Sequence, residues 1–471
     1  MTLAAAAIAS SLAPGAIRAA EAPAAPERPR ILVLTDVSNE PDDEESLVRF
    51  LVYCNEFDVE GLVATTSVHL KTGPREDIIR RFIAAYGEVR PQLVRHGQGY
   101  PPAEALLEVA CTGQAAYGME AVGDGKLTAG AQRILDAADR DDDRPLWISV
   151  WGGANTLAQA LHEARATRDA AEVAALVQKL RVYTISDQDD AGAWIRREFP
   201  QLFYIAAPGN VGGSDYWRAT WTGISGDRHY GIGVGHRFEM VDNPWLTKHV
   251  AQGHGPLGAL YPKVAYIMEG DTPAFLGLVD NGLAWRDRPD YGGWGGRYGH
   301  YRPYGEPRAI WTETRASRDT VTSDDNGRTE TSHHATIWRW REHYQNDFAA
   351  RMDWCVAAEF DQANHNPHAV LNGDSSKSAA SMTAKQGETV RLSAEGSTDP
   401  DNDELAFKWW VYREAGDFPG EISLLAVEGP STSFVAPPVK KPATVHVILE
   451  VRDAGTPNLW AYRRAIVTIA P

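Results

Sequence analysis

Ordered patterning begins at Ile31-Leu32-Val33-Leu34, an unbroken aliphatic run bounded by charged and turn residues. Such a run reads as a strand buried on both faces, as strands are in parallel sheets. Apolar residues then recur at helical spacing from about Pro41 to Asn55, a strand pattern covers Val59 to Thr66, and a second helix pattern covers Arg75 to Tyr86. A helix over Ala129 to Ala138, a strand at Leu146 to Trp151 and a strand at Leu180 to Ile185 follow, and the alternation continues through Ala207. Strands alternating with helices predict an α/β fold built on a doubly wound, mainly parallel sheet.

The pattern breaks at Pro208. As far as Arg315 the chain is rich in Gly, Trp, Tyr and His, most densely in Gly292-Gly293-Trp294-Gly295-Gly296-Arg297-Tyr298-Gly299-His300. Long irregular stretches in a compact domain are commonly functional, and so many aromatics argue against disorder. Trp294 and Arg297 therefore stand as candidate substrate contacts, the alternative being a tightly turned structural loop that uses Gly for backbone reasons. Arg318 to Arg328 is polar and reads as a mobile loop. Helical spacing returns over Thr336 to Ala358, where Ile337, Trp340, Tyr344, Phe348, Met352 and Cys355 form a core-facing stripe. From Ala379 onward short alternating strands separated by turn residues predict a small all-β immunoglobulin-like sandwich. Its acidic turn Gly396 to Asp403 lacks the glycine of an EF-hand loop and reads as an Asx-stabilised turn. The expected organisation is a signal-peptide-like segment at 1–22, a catalytic domain at 28–315, a helical extension and linker at 316–372, and the sandwich at 379–471.

The chemistry concentrates directly after the first strand. Asp36 lies at the strand end, and Asp42 and Asp43 follow Pro41 at the start of a helix. Open α/β sheets build their sites at the carboxyl ends of strands. Carboxylates crowded in one turn repel unless neutralised, and an oxygen-rich cluster suits a hard cation. Acidic residues also favour the positive end of any helix, but that reading leaves Asp36, before the turn, without a role.

This segment resembles the inosine-uridine nucleoside hydrolase superfamily, whose first strand ends in an aspartate followed by a loop and an Asp-Asp pair. It is most similar to bacterial cellulose-binding proteins with a nucleoside-hydrolase-like domain, in which a longer loop, here carrying Asn39 and Glu40, replaces the short one. Gly152-Gly153-Ala154-Asn155-Thr156-Leu157 and Met268-Glu269-Gly270-Asp271-Thr272-Pro273 resemble two further family segments. The resemblance implies Ca²⁺ held by Asp36, Asp42, Asp43, a carbonyl at Asn155, and Asp271, with Asp36 as the base that activates water. It implies cleavage at a sugar C1, as in a furanoside. Gly270 stands where the family commonly has a histidine, so ordinary nucleosides are not the expected substrate. Glu269 and His254 are then candidate leaving-group acids, with Asn39, Glu40, Asp187 and Asp189 as candidate sugar contacts, Asp187 reading equally well as a helix cap. A carbohydrate-binding protein without catalysis is the alternative function.

Composition narrows the partners. The 471 residues carry 46 basic and 63 acidic side chains, a net charge of −17 that repels phosphate backbones, so no nucleic-acid partner is expected. Neutral carbohydrate fits better, given 15 Trp and 17 Tyr able to stack on sugar faces. Cys54, Cys111 and Cys355 are too few and too scattered for a disulfide framework. The apolar stretch Met1 to Leu12 and the small residues near Ala20 resemble a secretory signal without its basic start, which predicts a secreted or periplasmic protein with no membrane span. Homo-oligomerisation is left open.

Overall fold

The computed structural model describes residues 27–38, 40–208 and 215–471. The signal-like segment at 1–22 lies outside the described residues. Strands β1 (Arg30–Thr35), β2 (Asp58–Ala64), β3 (Ala110–Thr112), β4 (Leu146–Val150), β5 (Leu180–Ser186), β6 (Phe203–Ala207), β7 (Gly299–Tyr301) and β8 (Ile310–Thr312) form one sheet in the order β3-β2-β1-β4-β5-β6-β8-β7. Every pairing is parallel except the edge pair β7 and β8. The chain runs outward from β1 to β3 and then returns to β4 on the other side of β1. That reversal opens a crevice above the carboxyl ends of β1 and β4.

Helices α1 (Pro41–Val52), α2 (Glu76–His96), α3 (Ala103–Glu108), α4 (Ala129–Asp139), α5 (Asn155–Thr167), α6 (Ala170–Lys179) and α7 (Ala191–Glu198) flank the sheet. The period-two alternation of a strand divides β1 between two cores. Ile31 and Val33 pack with α1 and α2, whereas Leu32 and Leu34 pack with α4 and α5. Helix α2 extends ten residues past the expected end at Tyr86, to His96, because Val89 and Leu93 continue the buried stripe on both sides of Pro91.

The polar segment Arg318 to Arg328 is not a free loop. Strands β9 (Asp319–Thr322) and β10 (Thr329–Ser332) pair as a hairpin, with hydroxyl pairs Thr320–Thr331 at 2.9 Å and Thr322–Thr329 at 2.8 Å. Cross-strand threonines supply the pairing that an apolar alternation would otherwise have announced.

Strands β11 (Ala380–Lys385), β12 (Thr389–Ser393), β13 (Ala406–Val411), β14 (Ser431–Val435), β15 (Ala443–Arg452) and β16 (Trp460–Ala470) form the C-terminal sandwich, β11-β16-β15-β13 facing β12-β14. Leu392, Trp409, Phe434, Val447, Leu449 and Val467 fill it. In the acidic turn, Asp399 Oδ1 accepts the Asp401 and Asp403 N–H groups at 2.8 and 3.1 Å, an Asx arrangement. The sandwich is not a separable bead: Tyr412, Ile448, Trp460 and Tyr462 belong to the same buried cluster as Phe50, Trp151, Trp294 and Trp340. The helix Arg341–Trp354 lies between the two units and is common to both.

Candidate functional site

Asp36 directly follows β1, and Pro41 starts α1 with its φ already set for a helix, which places Asp42 and Asp43 in the first turn. Asp271 lies just before the short helix Pro273–Leu276. Carboxylate oxygens of Asp42, Asp43 and Asp271 lie within 4.8 Å of one another, and Asp36 lines the same cavity. Thr35 donates its hydroxyl to Asp43 Oδ1, and Ser67, from the loop after β2, donates to Asp36 Oδ2.

Backbone must come close for this cluster to form. A Cβ at Gly152 would meet Asp36 Oδ1 at 2.6 Å, and one at Gly270 would meet Asp42 Oδ2 at 2.8 Å and the Trp221 ring at 2.9 Å. Any side chain at position 270, histidine included, would displace a carboxylate of the cluster.

All four aspartates are buried. Burial raises Asp36 to about 6, against the opposing pull of Ser67, its own backbone N–H and His69. Burial, then the charges of Glu40 and Asp36, raise Asp42 to about 8. Burial followed by neighbouring carboxylates pushes Asp43 and Asp271 well above the usual range. Among the described residues no Lys or Arg lines the cavity, and Asp271 Oδ2 is buried without a hydrogen-bond partner. Repelling carboxylates, an all-oxygen donor set and an orphaned acceptor fit a hard divalent cation of the Ca²⁺ type.

The cavity holds about 20 Å³. That is room for a water or an ion and not for a sugar. Tyr216, Trp221, Tyr230 and Ile267 enclose it, with Glu40, His69, Trp151 and Gln188 on its walls. Tyr216 Oη stands 3.5 Å from His69 Nε2, and Trp221 Nε1 donates to Ser186 at 3.0 Å.

The family model described as cellulose-binding Sde182, nucleoside hydrolase-like domain, matches residues 30–298. A second, the C-terminal domain of cellulose-binding protein Sde0182, matches residues 389–469. The chain belongs to the Sde182 family. A solved structure of a nucleoside hydrolase-related hypothetical protein from Saccharophagus degradans, associated with carbohydrate metabolism, is 36% identical, covers 94% of this chain and 100% of its own, and superposes with a TM-score of 0.79. The periplasmic chaperone SfaE overlaps 22% of this chain at 12% identity and a TM-score of 0.17, too little to bear on the fold. Among curated proteins nothing matches.

Several residues expected at the site have other work in this Sde182-family chain. Glu269 is fully buried in an ion pair with Arg49, accepts the Tyr261 hydroxyl at 2.8 Å and the Thr272 hydroxyl at 3.0 Å, and is absent from the cavity wall. Bonded to Arg49, Tyr261 and Thr272, Glu269 braces the Asp271 turn from behind the cavity. His254 bonds Asp353 at 3.1 Å beside the helix Gly255–Gly258 and does not reach the cavity. Asn155 does not line it either: its amide reaches Thr66 Oγ1 at 2.9 Å and the Ala116 carbonyl at 2.8 Å, tying the loops after β2 and β3 to α5.

Asp187 is paired with Arg196 of α7 at 2.7 Å, Asp189 accepts the N–H groups of Asn155 and Ala191 at 3.0 and 2.9 Å at the starts of α5 and α7, and neither lines the cavity. Trp294 donates to the Tyr462 hydroxyl at 3.3 Å, and Arg297 is paired with Asp319 at 2.7 Å. Trp294 thus joins the sandwich directly, while Arg297 and the Tyr412 hydroxyl of the sandwich meet on Asp319, because the glycine-rich loop turns inward. Of the expected sugar contacts Glu40 alone lines the cavity; Asn39 lies outside the described residues.

The sequence reading missed His69, Trp151, Gln188, Tyr216, Trp221 and Tyr230. A signal existed for His69, which follows β2, the strand beside β1, so the strand-end rule covers it as it covers Asp36.

Proposed function

We propose that the chain hydrolyses a glycosidic bond of a neutral saccharide at a calcium centre formed by Asp36, Asp42, Asp43 and Asp271. The observation that carries this reading is the convergence of four buried aspartates on one cavity that no Lys or Arg side chain lines among the described residues. When bound, the cation would acidify a water and orient sugar hydroxyls. Asp36, at the edge of the cluster on the cavity wall, accepts the proton of the attacking water. His69, the imidazole on the cavity wall, supplies a proton to the departing oxygen, and Tyr216 orients it. Tyr216 and Trp221 exclude solvent as positive charge develops on the sugar ring. Since the cavity admits only an ion or a water, Tyr216 or Tyr230 must swing aside for a sugar to enter.

The comparisons support carbohydrate as the ligand class through the family's cellulose-binding description and the relative's association with carbohydrate metabolism. A polysaccharide ligand suits a secreted or periplasmic protein, and among the described residues no helix is long and apolar enough to cross a membrane. A second reading, glycan binding without catalysis, is favoured by the closed cavity and by the family's name.

The test is release of reducing sugar from cello-oligosaccharides, xylo-oligosaccharides and aryl furanosides with calcium and with chelator. The expected result is calcium-dependent turnover that Asp36→Asn and His69→Ala each lower by about 10²- to 10⁴-fold. Glycan binding by wild type with no turnover under saturating calcium would leave the second reading.

A further inference from the structure

A second concavity backs onto the carboxylate cavity. It holds about 520 Å³ and is lined in part by Ser186, Trp217, Tyr301, Glu313, Arg318 and His333. This size falls within the ~300–1,000 Å³ of sites for small organic ligands. The two spaces share a wall. In the turn Tyr216–Arg218, Tyr216 faces the carboxylate cavity while Trp217 faces the groove. At the end of β5, Ile185 lines the first and Ser186 the second, and the Ser186 hydroxyl holds the Trp221 ring that closes the cavity. Glu313 Oε1 accepts the Thr220 N–H at 2.9 Å and so fixes the same wall from the groove side.

The groove's chemistry selects its occupant. Trp217 is 51% exposed and Tyr301 56% exposed, leaving ring surface open to a ligand. Asp215 and Glu313 share the lining with Arg218 and Arg318, so the charges along the groove balance and select neither an anion nor a cation. A neutral polyhydroxylated ligand meets donors, acceptors and aromatic faces together. The distribution of exposed rings agrees. Among the described residues the strongly exposed aromatics are Trp217, Tyr266, Tyr301, Tyr304 and Phe360, and none belongs to the sandwich. The rings of Trp409, Trp410, Tyr412, Trp460 and Tyr462 are turned into cores or the joint between the units.

We propose that this groove, with Trp217 and Tyr301 as its stacking surfaces, is the glycan-docking subsite of the protein, holding the remainder of a chain whose reacting sugar lies at the aspartate cluster. The inference rests on the carbohydrate reading above. It assigns polysaccharide docking to the first domain and not to the C-terminal sandwich.

Full-length protein with calcium is titrated calorimetrically with cellohexaose and assayed for retention on insoluble cellulose. Trp217→Ala with Tyr301→Ala raises Kd by about tenfold or more, since such anchoring aromatics typically dominate a contact. Tyr304→Ala and Leu425→Ser leave it unchanged, and Trp217→Phe retains most of the affinity. Both target rings are on the surface, and an unchanged melting temperature establishes that the variants fold. Equal binding by wild type and the double variant overturns the proposal, as does loss of binding in Leu425→Ser with Val427→Ser alone. No cellohexaose binding by wild type also overturns it. The calcium-induced rise in melting temperature is read on the same samples: its presence keeps the metal centre standing whatever the groove does, and its absence removes that centre while leaving docking to be judged on the titration.

Discussion

Cutting the chain after Leu371 removes the sandwich and, with it, part of the first domain's core. Tyr462 stands 5.4 Å from Trp340 and 6.3 Å from Trp294, ring centre to ring centre, and Trp460 stacks on His343 at 4.1 Å. Tyr412, Ile448, Trp460 and Tyr462 all belong to the shared cluster. Burying one such side chain contributes about 1.5–3 kcal/mol, so the group supplies on the order of 6–12 kcal/mol. That matches the whole net stability of a typical domain, about 5–15 kcal/mol. Polar losses add to it: Arg464 donates to the Leu283 carbonyl at 2.8 Å and the Gly292 carbonyl at 2.9 Å, bonds the shortened chain cannot replace. The expected outcome is that a chain ending at Leu371 is insoluble or melts without a cooperative transition, and that full-length protein gives one calorimetric transition. Tyr462→Ala in the full chain should cost about 3–5 kcal/mol in chemical denaturation. A shortened protein that stays monodisperse, melts cooperatively at the full-length temperature and responds to calcium would refute the shared-core argument.

Calcium at a hundred times its Kd should stabilise the wild type by about 2.7 kcal/mol, read as a rise in melting temperature that Asp43→Asn abolishes. Without cation, the raised pKa values of Asp36 (about 6) and Asp42 (about 8) make the folded state bind more protons than the unfolded one. The cluster's contribution is thus intact below about pH 4 and lost as pH climbs through those values, so chelated protein should melt progressively lower toward pH 8, with a shallower slope in Asp42→Asn. Arg49→Met leaves Glu269 buried without its partner and should cost about 3–5 kcal/mol in denaturant titration. Substituting Gly270 by histidine should abolish the calcium response, because its Cβ would lie 2.8 Å from Asp42 Oδ2; a normal calcium response in that variant would show that the backbone can shift.

Sequence alone determined the parallel sheet, the sandwich and the positions of Asp36, Asp42, Asp43 and Asp271. All but Asp271 depend on a local signal, namely an aliphatic run, a period, or a carboxylate placed at a strand end or a helix start; Asp271 was implied by the resemblance of its segment to the nucleoside hydrolases. Tertiary structure decided which other polar residues reach the cavity. Glu269 is two residues from Asp271 yet faces Arg49, because its backbone sits at φ 52° and Arg49 on α1 needs a buried partner. Asp187 and Asp189 suited sugar contact or helix capping alike, and only the fold pairs Asp187 with Arg196 and sets Asp189 at the start of α5. Trp294 and Arg297 sit in a loop whose composition suits a pocket wall as well as a domain joint, and only the approach of Tyr462 and Asp319 separates the two. The aromatic roof of Tyr216, Trp221 and Tyr230 carries no periodicity at all. Tyr216 meets His69 across a long stretch of chain, and the path of the backbone, not any local pattern, brings all three rings over the carboxylates.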